Sequence, residues 1–499
     1  MSLRASSRSR HRLEDPLMFV NKQPRYEILS EDAMATLDKG WKRLVSEIGI
    51  EFASPWATEL LAAAGQKVDG INVKFDPEWV LEQVAKAPAQ FDVHARNPDN
   101  NVVIGGDNMV FASVYGPPFA RRGDVRKEGT LEDYRNFLKL SQSFSLLDSA
   151  GSTIVEPNDA PLDSRHLDMQ FALETLTDKI HMGNVVRPSN AEDSLNMAGI
   201  VFGGREKLEE MPVMISLLNC NSPMHWDSGM LDSMQVYVKA NQPVLLTPFL
   251  IMGAMSPVAI PAALAQLMAE AFTGIALAQL VRPGCPVILG SFLTNANMQS
   301  GSTCMGTPES AIGLFAIGQI ARKYNLPFRS GGGFTSSQSV DAQAGYESLM
   351  TMMPTFLAGT NYVLHSGGWL ESGLVSSYEK FIVDMEILGM LQATFKPLEF
   401  TEESLAFGAH EEVMSSTDSR HFLGTAHTME NFRTCFYRPL LSSSDAFERW
   451  EKNGCKDAAE RAGEIATQKL EEYEEPTLDP AIREELEEYV VRRRAELGD

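Results

Sequence analysis

Polar and aromatic residues able to hold or transform a ligand gather just after short apolar runs of this chain. Glu156-Pro157-Asn158-Asp159 follows one run, Asn219, Asn221, His225 and Trp226 another, and Thr294, Asn295 and Asn297 a third. The stretch FRSGGGFTSSQSVDAQAGYE, residues 328–347, carries Gly331, Gly332 and Gly333, then Phe334 and Gln338. His365, Trp369 and Glu371 close the series. Consecutive glycines cost chain entropy and stand where backbone turns sharply or lies close to something. Two readings fit: a tight strand-to-loop turn, or a wall against which a bulky ligand presses. A phosphate cradle lacks the lysine of a P-loop. His365 reads as a general base or ligand, or as a hydrogen-bonded structural residue. Glu371 balances a cationic substrate or caps a helix amide. Tyr115, Trp226, Phe249, Phe292, Phe334 and Trp369 all fall at or near the ends of apolar runs. Such rings hold a quaternary ammonium by cation–π attraction, worth about 2 kcal/mol when desolvated, or simply fill space.

Other chemistries find little support. The sequence has no HExxH, no CxxC and no GxSxG, so neither a metal site nor a nucleophile elbow is expected. His421 and His427 have finger-like spacing, but no cysteine pair precedes them. Asp92-Val93-His94 begins like the DxHxxG loop that ligates cobalt in corrinoid carriers, yet Asn97 stands where that loop ends in glycine.

The elements that must position these residues alternate. MVFASVY, LLDSAGSTIV, KIHMGNVV, PVMISLLN, PVLLTPFLI, PVILGSFLT, LPFRS and NYVLHS read as strands, most followed by a polar or glycine-rich stretch and then a helical pattern. Alternation of this kind implies parallel βαβ units. Eight runs over about 260 residues match a closed barrel. An open doubly wound sheet competes, but no GxGxxG opens a helix near the start. The expected fold class is therefore α/β: a (β/α)8 TIM barrel over 109–395, with an N-terminal mixed α/β lead-in over 31–108. A C-terminal helical extension covers 396–499, and a basic arm covers 1–30. In the lead-in, helices are expected from Glu31, from Pro55 with Ser54 as N-cap, and from Pro77. In the extension, one charged helix from Asp445 to Pro476 and another opened by Asp479-Pro480 are expected. In a barrel the loops after the strand ends build the site, which would bring the residues above to one mouth.

Composition narrows the function classes. The 499 residues are 44% apolar and 22% charged, with a formal net charge of −23. That acidity argues against nucleic acid or an anionic membrane as partner. The most apolar stretch, PAALAQLMAEAFTGIALAQLV, carries Gln266, Glu270 and Gln279 and reads as a packed helix rather than a membrane span. The basic N-terminus has no apolar core of a secretory signal. The five scattered cysteines indicate a reducing compartment, hence a cytoplasmic protein.

Several segments then carry a resemblance. GTPES, GGGFTSSQSVDAQAGYE, WLESGLVSSYEKFIVDMEI, RHFLGTAHTMENFR and the lead-in stretches LLAAAGQKVDG and VKFDPEWVLEQVAKAP resemble the trimethylamine:corrinoid methyltransferase family across nearly the whole chain. The resemblance implies a barrel that moves a methyl group from an amine to the Co(I) corrinoid (cobalamin) of a separate carrier protein, with no cofactor bound in this chain. Archaeal trimethylamine members carry pyrrolysine, and its place is expected in or near the glycine-rich loop around Phe334. This chain has none, and it resembles members that act on glycine betaine and related betaines. A quaternary nitrogen suits such a site, because its amine leaves neutral and needs no acid. The expected substrate is therefore a quaternary amine. Trp226, Phe334 and Trp369 would hold the trimethylammonium head, with Tyr115, Phe292, Gly332 and Gly333 as further substrate-binding candidates. Asn221, His225, Gln338 or His365 would bind a carboxylate tail, and Glu156 or Glu371 would offset the cation. Glu156, His365 and Glu371 are the candidate catalytic residues. A homo-oligomer is expected. The alternatives are a tertiary-amine methyltransferase and a barrel that binds quaternary amines without turnover.

Overall fold

A computed structural model describes residues 18–416 and 420–498; residues 1–17 of the expected basic arm lie outside the described residues. The chain is a mixed α/β protein built on a curled parallel sheet clothed by helices. Strand Asn108–Phe111 lies beside Tyr362–Leu364, followed across the sheet by Phe328–Gly331, Val287–Gly290, Val244–Met252, Met214–Cys220 and His181–Met182, each parallel to the next. Each of these strands falls in one of the predicted apolar runs or overlaps it. The remaining run, 146–155, supplies only the bridge residue Ser149, which is parallel to both Ala112 and Ile180. The ladder is interrupted there because the Asp148 carboxylate accepts the Phe111 amide at 2.8 Å.

Side chains alternate across the strands with period two. Val110, Leu217, Leu245, Ile288, Tyr362 and Leu364 point into the curl and form one apolar cluster. Leu246, Leu289 and Phe328 point outward into the layer packed under the helices. The hairpin of Gln90–Val93 and Val102–Gly105 adds Val93, Val102 and Ile104 to the inner cluster. The His94 amide donates to Pro212 O, just before strand Met214–Cys220. The hairpin therefore closes the end where the strands begin, and the opposite end receives the loops after the strands.

The apolar stretch forms helix Ile260–Val281, which packs on lead-in helices Glu31–Arg43 and Pro77–Val84. Its Phe272 meets Trp41 edge-on at 5.3 Å. Among the described residues it is the one helix long and apolar enough to cross a membrane, and most of it is buried within the protein. Pro55 and Pro77 open their helices as expected, but the Ser54 hydroxyl donates to Asp232 at 2.7 Å instead of capping.

The extension departs from expectation in one place. The single helix expected up to Pro476 is two helices, Phe447–Lys452 and Ala458–Glu471. Gly454 (φ +96°) and Cys455 (φ +56°) turn the chain between them, and Asp457 starts the second with a capping box to Glu460. Helix Pro480–Leu497 docks Leu486, Tyr489 and Val490 on Leu167 and Met197. Asp193 accepts from Tyr489 Oη at 2.7 Å and Arg493 Nε at 2.8 Å.

Candidate active site

Rings gather where the strands end. Phe249 stacks on Phe292 at 4.3 Å between centroids, and Phe292 meets Phe334 edge-on at 5.3 Å. Trp369 lies 4.7 Å from Phe334 and 6.4 Å from Phe292. The His365 imidazole sits 5.2 Å from Phe334 and 4.5 Å from Trp369. Phe292, Phe334, His365 and Trp369 are all buried. Trp369 comes from a small sheet of Trp369–Leu370, Val375–Ser377, Phe119–Arg122 and Val125–Glu128. Tyr115 rests half-buried on the inner cluster. Burial, and then the charge of Glu156, push its phenol up to about 12, so it stays neutral. The rings touch one another. A hollow of about 720 Å³ lies elsewhere, lined by Glu27, Met34, Asp38, Gln319 and Arg322; none of the ring residues lines it.

His365 occupies the left-handed region at φ +67°, a conformation a non-glycine residue keeps only where its surroundings impose it. Its amide donates to Ser113 O at 3.1 Å, and its Nδ1 accepts the Tyr115 amide at 3.2 Å. Nδ1 is therefore the bare nitrogen and Nε2 carries the hydrogen. Burial, helped by the positive charge of Arg329, drives the imidazole pKa well below its usual range. A histidine so held is a fixed neutral donor and is poorly suited to proton transfer near pH 7.

Below the rings lies a row the sequence reading missed. Leu246 pairs with Leu289 and Gly290 with Arg329, so Thr247, Gly290 and Arg329 follow one another across the inner face. Arg329 is 1% exposed. Its Nη1 donates to Ser291 O at 3.3 Å, while among the described residues its Nε has no partner and the guanidinium makes no ion pair. Burial lowers its pKa to about 9. Thr247 Oγ1 and Trp369 Nε1 are likewise buried without a described partner. A methyl on Gly290 would overlap Thr247 Oγ1, so the glycine makes room for that hydroxyl within the row. Strict alternation in LPFRS was the available signal: Phe328 faces out, which turns Arg329 inward.

The triple glycine makes room for the protein's own atoms, which corrects the ligand-wall expectation for Gly332 and Gly333. A Cβ on Gly331 would overlap the Phe334 ring; one on Gly332 would meet Met352 Cε at 2.9 Å, and one on Gly333 would meet Asp384 Oδ1 at 2.9 Å. The Gly333 amide donates to His365 O at 2.9 Å and the Phe334 amide to Thr351 Oγ1 at 3.2 Å, so these donors are not free for a phosphate. Behind the loop Lys380 and Asp384 form a fully buried ion pair. Lys380 Nζ also donates to Gly333 O at 3.3 Å, and Asp384 accepts the Gly368 amide at 2.8 Å. One pair thus fastens both glycine-rich loops. Burial raises Asp384 to about 6 even beside the lysine.

The remaining candidates are dispersed. Glu156 lies near enough to Tyr115 to raise its pKa, but its carboxylate pairs with Arg165 at 2.6 Å. Burial raises the pKa of Glu156 despite that arginine. Glu371 pairs with Arg126 at 3.0 Å, whose guanidinium lies 3.8 Å from the Phe119 ring. Gln338 is exposed and donates to Ser336 O at 3.0 Å. Asn221, His225 and Trp226 are corrected more sharply. Glu270 accepts from Ser222 Oγ at 2.5 Å and from the Met224 amide at 2.7 Å, drawing this loop away from the rings. His225–Trp226 then pairs with Ile50–Phe52 as a strand of the lead-in sheet. His225 binds Glu51 at 2.8 Å, Asn221 Oδ1 accepts the Asp227 amide at 3.3 Å, and Trp226 is fully buried against Gly274.

The chain is 41% identical over 477 residues to a glycine betaine methyltransferase of Desulfitobacterium hafniense (strain Y51), covering 95% of this chain and 99% of that one. A proline betaine:corrinoid methyltransferase of Eubacterium limosum is 27% identical over 384 residues, 74% of this chain and 78% of the relative. The trimethylamine methyltransferase MttB of Desulfitobacterium hafniense (strain DSM 10664 / DCB-2) is 26% identical, covering 94% of each chain. In fold, the chain is similar to the Methanosarcina barkeri monomethylamine methyltransferase MtmB, with a TM-score of 0.52 at 12% identity over 92% of this chain and 91% of that structure. Residues 2–498 match the family described as trimethylamine methyltransferase (MTTB), and the chain belongs to that family.

Proposed function

We propose that this chain is a methyltransferase that moves a methyl group from a quaternary amine, glycine betaine or a related betaine, to the Co(I) corrinoid of a separate carrier protein. The observation that carries this reading is the buried ring cluster of Phe249, Phe292, Phe334 and Trp369 at the strand ends. The name of the glycine betaine relative supports the substrate class. We read the curled sheet as a (β/α)8 barrel over 109–395, with the lead-in at 31–108 and the extension at 396–499. The bridges from Ser149 to Ala112 and Ile180 support that reading, since they link its first and last strands.

The methyl acceptor is a second substrate, and the Co(I) corrinoid supplies the nucleophile. The only DxH stretch in the sequence, Asp92 to His94, lies by the hairpin at the opposite end, so an acceptor from outside suits the geometry. The residues of this chain bind, orient and dry the substrate. The rings replace water around the charged nitrogen, and Tyr115 and Glu156 stand at their edge. The amine leaves neutral, so the neutral His365 is no obstacle. Most of the acceleration comes from alignment and from exclusion of water. Cytoplasmic placement and homo-oligomeric assembly belong to the same proposal, supported by unpaired cysteines and by exposed Phe400, Leu423 and Phe436 in the extension.

The test is methyl transfer to Co(I) cobalamin with glycine betaine or trimethylamine as donor. Methylcobalamin with dimethylglycine as co-product is the expected result. Transfer from trimethylamine alone, or betaine binding without transfer to a competent carrier, would overturn the proposal.

A further inference from the structure

We propose that Arg329, with the Thr247 hydroxyl lying over the intervening Gly290, forms a carboxylate-binding floor beneath the rings and so selects zwitterionic quaternary amines. The inference rests on the function proposed above and names residues that perform the selection. A guanidinium that is 1% exposed and makes no ion pair among the described residues is costly unless an anion meets it. Its Nε and Thr247 Oγ1 are buried donors without a described partner, and the threonine hydroxyl lies over Gly290, where any side chain would displace it. A carboxylate accepts from both kinds of group, and from arginine in bidentate fashion.

The layering fixes the rest of the ligand. Phe249 stands two residues beyond Thr247, Phe292 two beyond Gly290, and Gly331, under the Phe334 ring, two beyond Arg329. Two residues of strand span about 6.6 Å. An anion on the floor therefore places a nitrogen a few bonds away among the rings, with its methyl groups turned toward the open ends of the strands. Choline and tetramethylammonium bring no carboxylate to the floor and leave the arginine without a counter-charge. No carboxylate is among the groups acting on Arg329; Asp148 accepts the Phe111 amide, and Asp384 is paired with Lys380.

The first test uses the wild-type protein and binding alone, so it does not depend on turnover. Calorimetry should show glycine betaine binding at least about thirty-fold more tightly than its methyl ester, a cation without the carboxylate charge, or tetramethylammonium. Equal affinity for the ester would overturn the inference even if methyl transfer from betaine is confirmed. Absence of methyl transfer together with selective betaine binding would sink the function and leave the floor standing. The second test compares Arg329→Met and Arg329→Lys. Met should raise KM for betaine at least thirty-fold while tetramethylammonium affinity holds within about three-fold, and Lys should recover part of the loss. A parallel loss for both ligands would show a merely structural arginine.

Discussion

Substituting Gly331 by alanine tests whether the Phe334 ring is held over its own strand in order to face the substrate. The added methyl would overlap that ring, whereas ordinary carbon contacts need about 3.5–4.0 Å. Gly331 is not in the left-handed region, so the alanine backbone is unstrained and the cost is steric. The ring must swing away from Trp369 and Phe292, which it now meets at 4.7 and 5.3 Å. If the ring contributes a cation–π contact of roughly 0.5–2 kcal/mol, Gly331→Ala should lower kcat/KM for betaine by about two- to thirty-fold. Phe334→Ala should lower it by a similar factor. The double variant should be no worse than Phe334→Ala within about two-fold, because the alanine then has nothing to displace. The assay is initial-rate methylation of Co(I) cobalamin at varied betaine. Losses that multiply in the double variant would show that the two residues act independently, and the reasoning about the glycine would fail.

Two further outcomes follow from buried charges. Asp384→Asn strands a fully buried Lys380, so denaturation should show a loss of about 3–5 kcal/mol. The Lys380→Met/Asp384→Leu pair should recover much of that stability but not kcat/KM, since both glycine loops lose their fastening. Glu174, beside Gln170 and His181, is raised to about 7 by burial. Between its unfolded value of about 4.3 and about 7, the native state keeps a proton the unfolded chain has lost, so its contribution falls as pH rises. His181, lowered to about 4 by burial, works in the opposite sense below about pH 6.5. The advantage of Glu174→Gln over wild type in thermal scans should therefore grow from pH 5 to pH 8, toward a ceiling of roughly 4 kcal/mol. A gap that shrinks with pH would contradict the assignment.

The sheet was legible because its strands are short apolar runs bounded by polar loops, and the proline-opened helices announced their starts. The run at 146–155 failed as a strand because a side chain, Asp148, took the place of a backbone acceptor. Phe292, Phe334 and Trp369 were foreseen from their places after strands, and the structure brings them together with His365. Asn221, His225 and Trp226 shared that signal, yet Glu270, distant in sequence, redirects their loop. No local pattern encodes such a partner. Arg329 gives no such signal in the sequence, because the burial of a charge within a strand shows only once the neighbouring strands are in place.

The central claim is that the rings at the strand ends hold the trimethylammonium group. The most direct measurement is the proton resonance of 13C-labelled betaine methyl groups on binding. The account predicts an upfield ring-current shift in the wild-type protein that shrinks in Phe334→Ala and Trp369→Leu as affinity falls. A bound methyl resonance at its free position, or one unchanged by both substitutions, would place the nitrogen elsewhere and contradict the account.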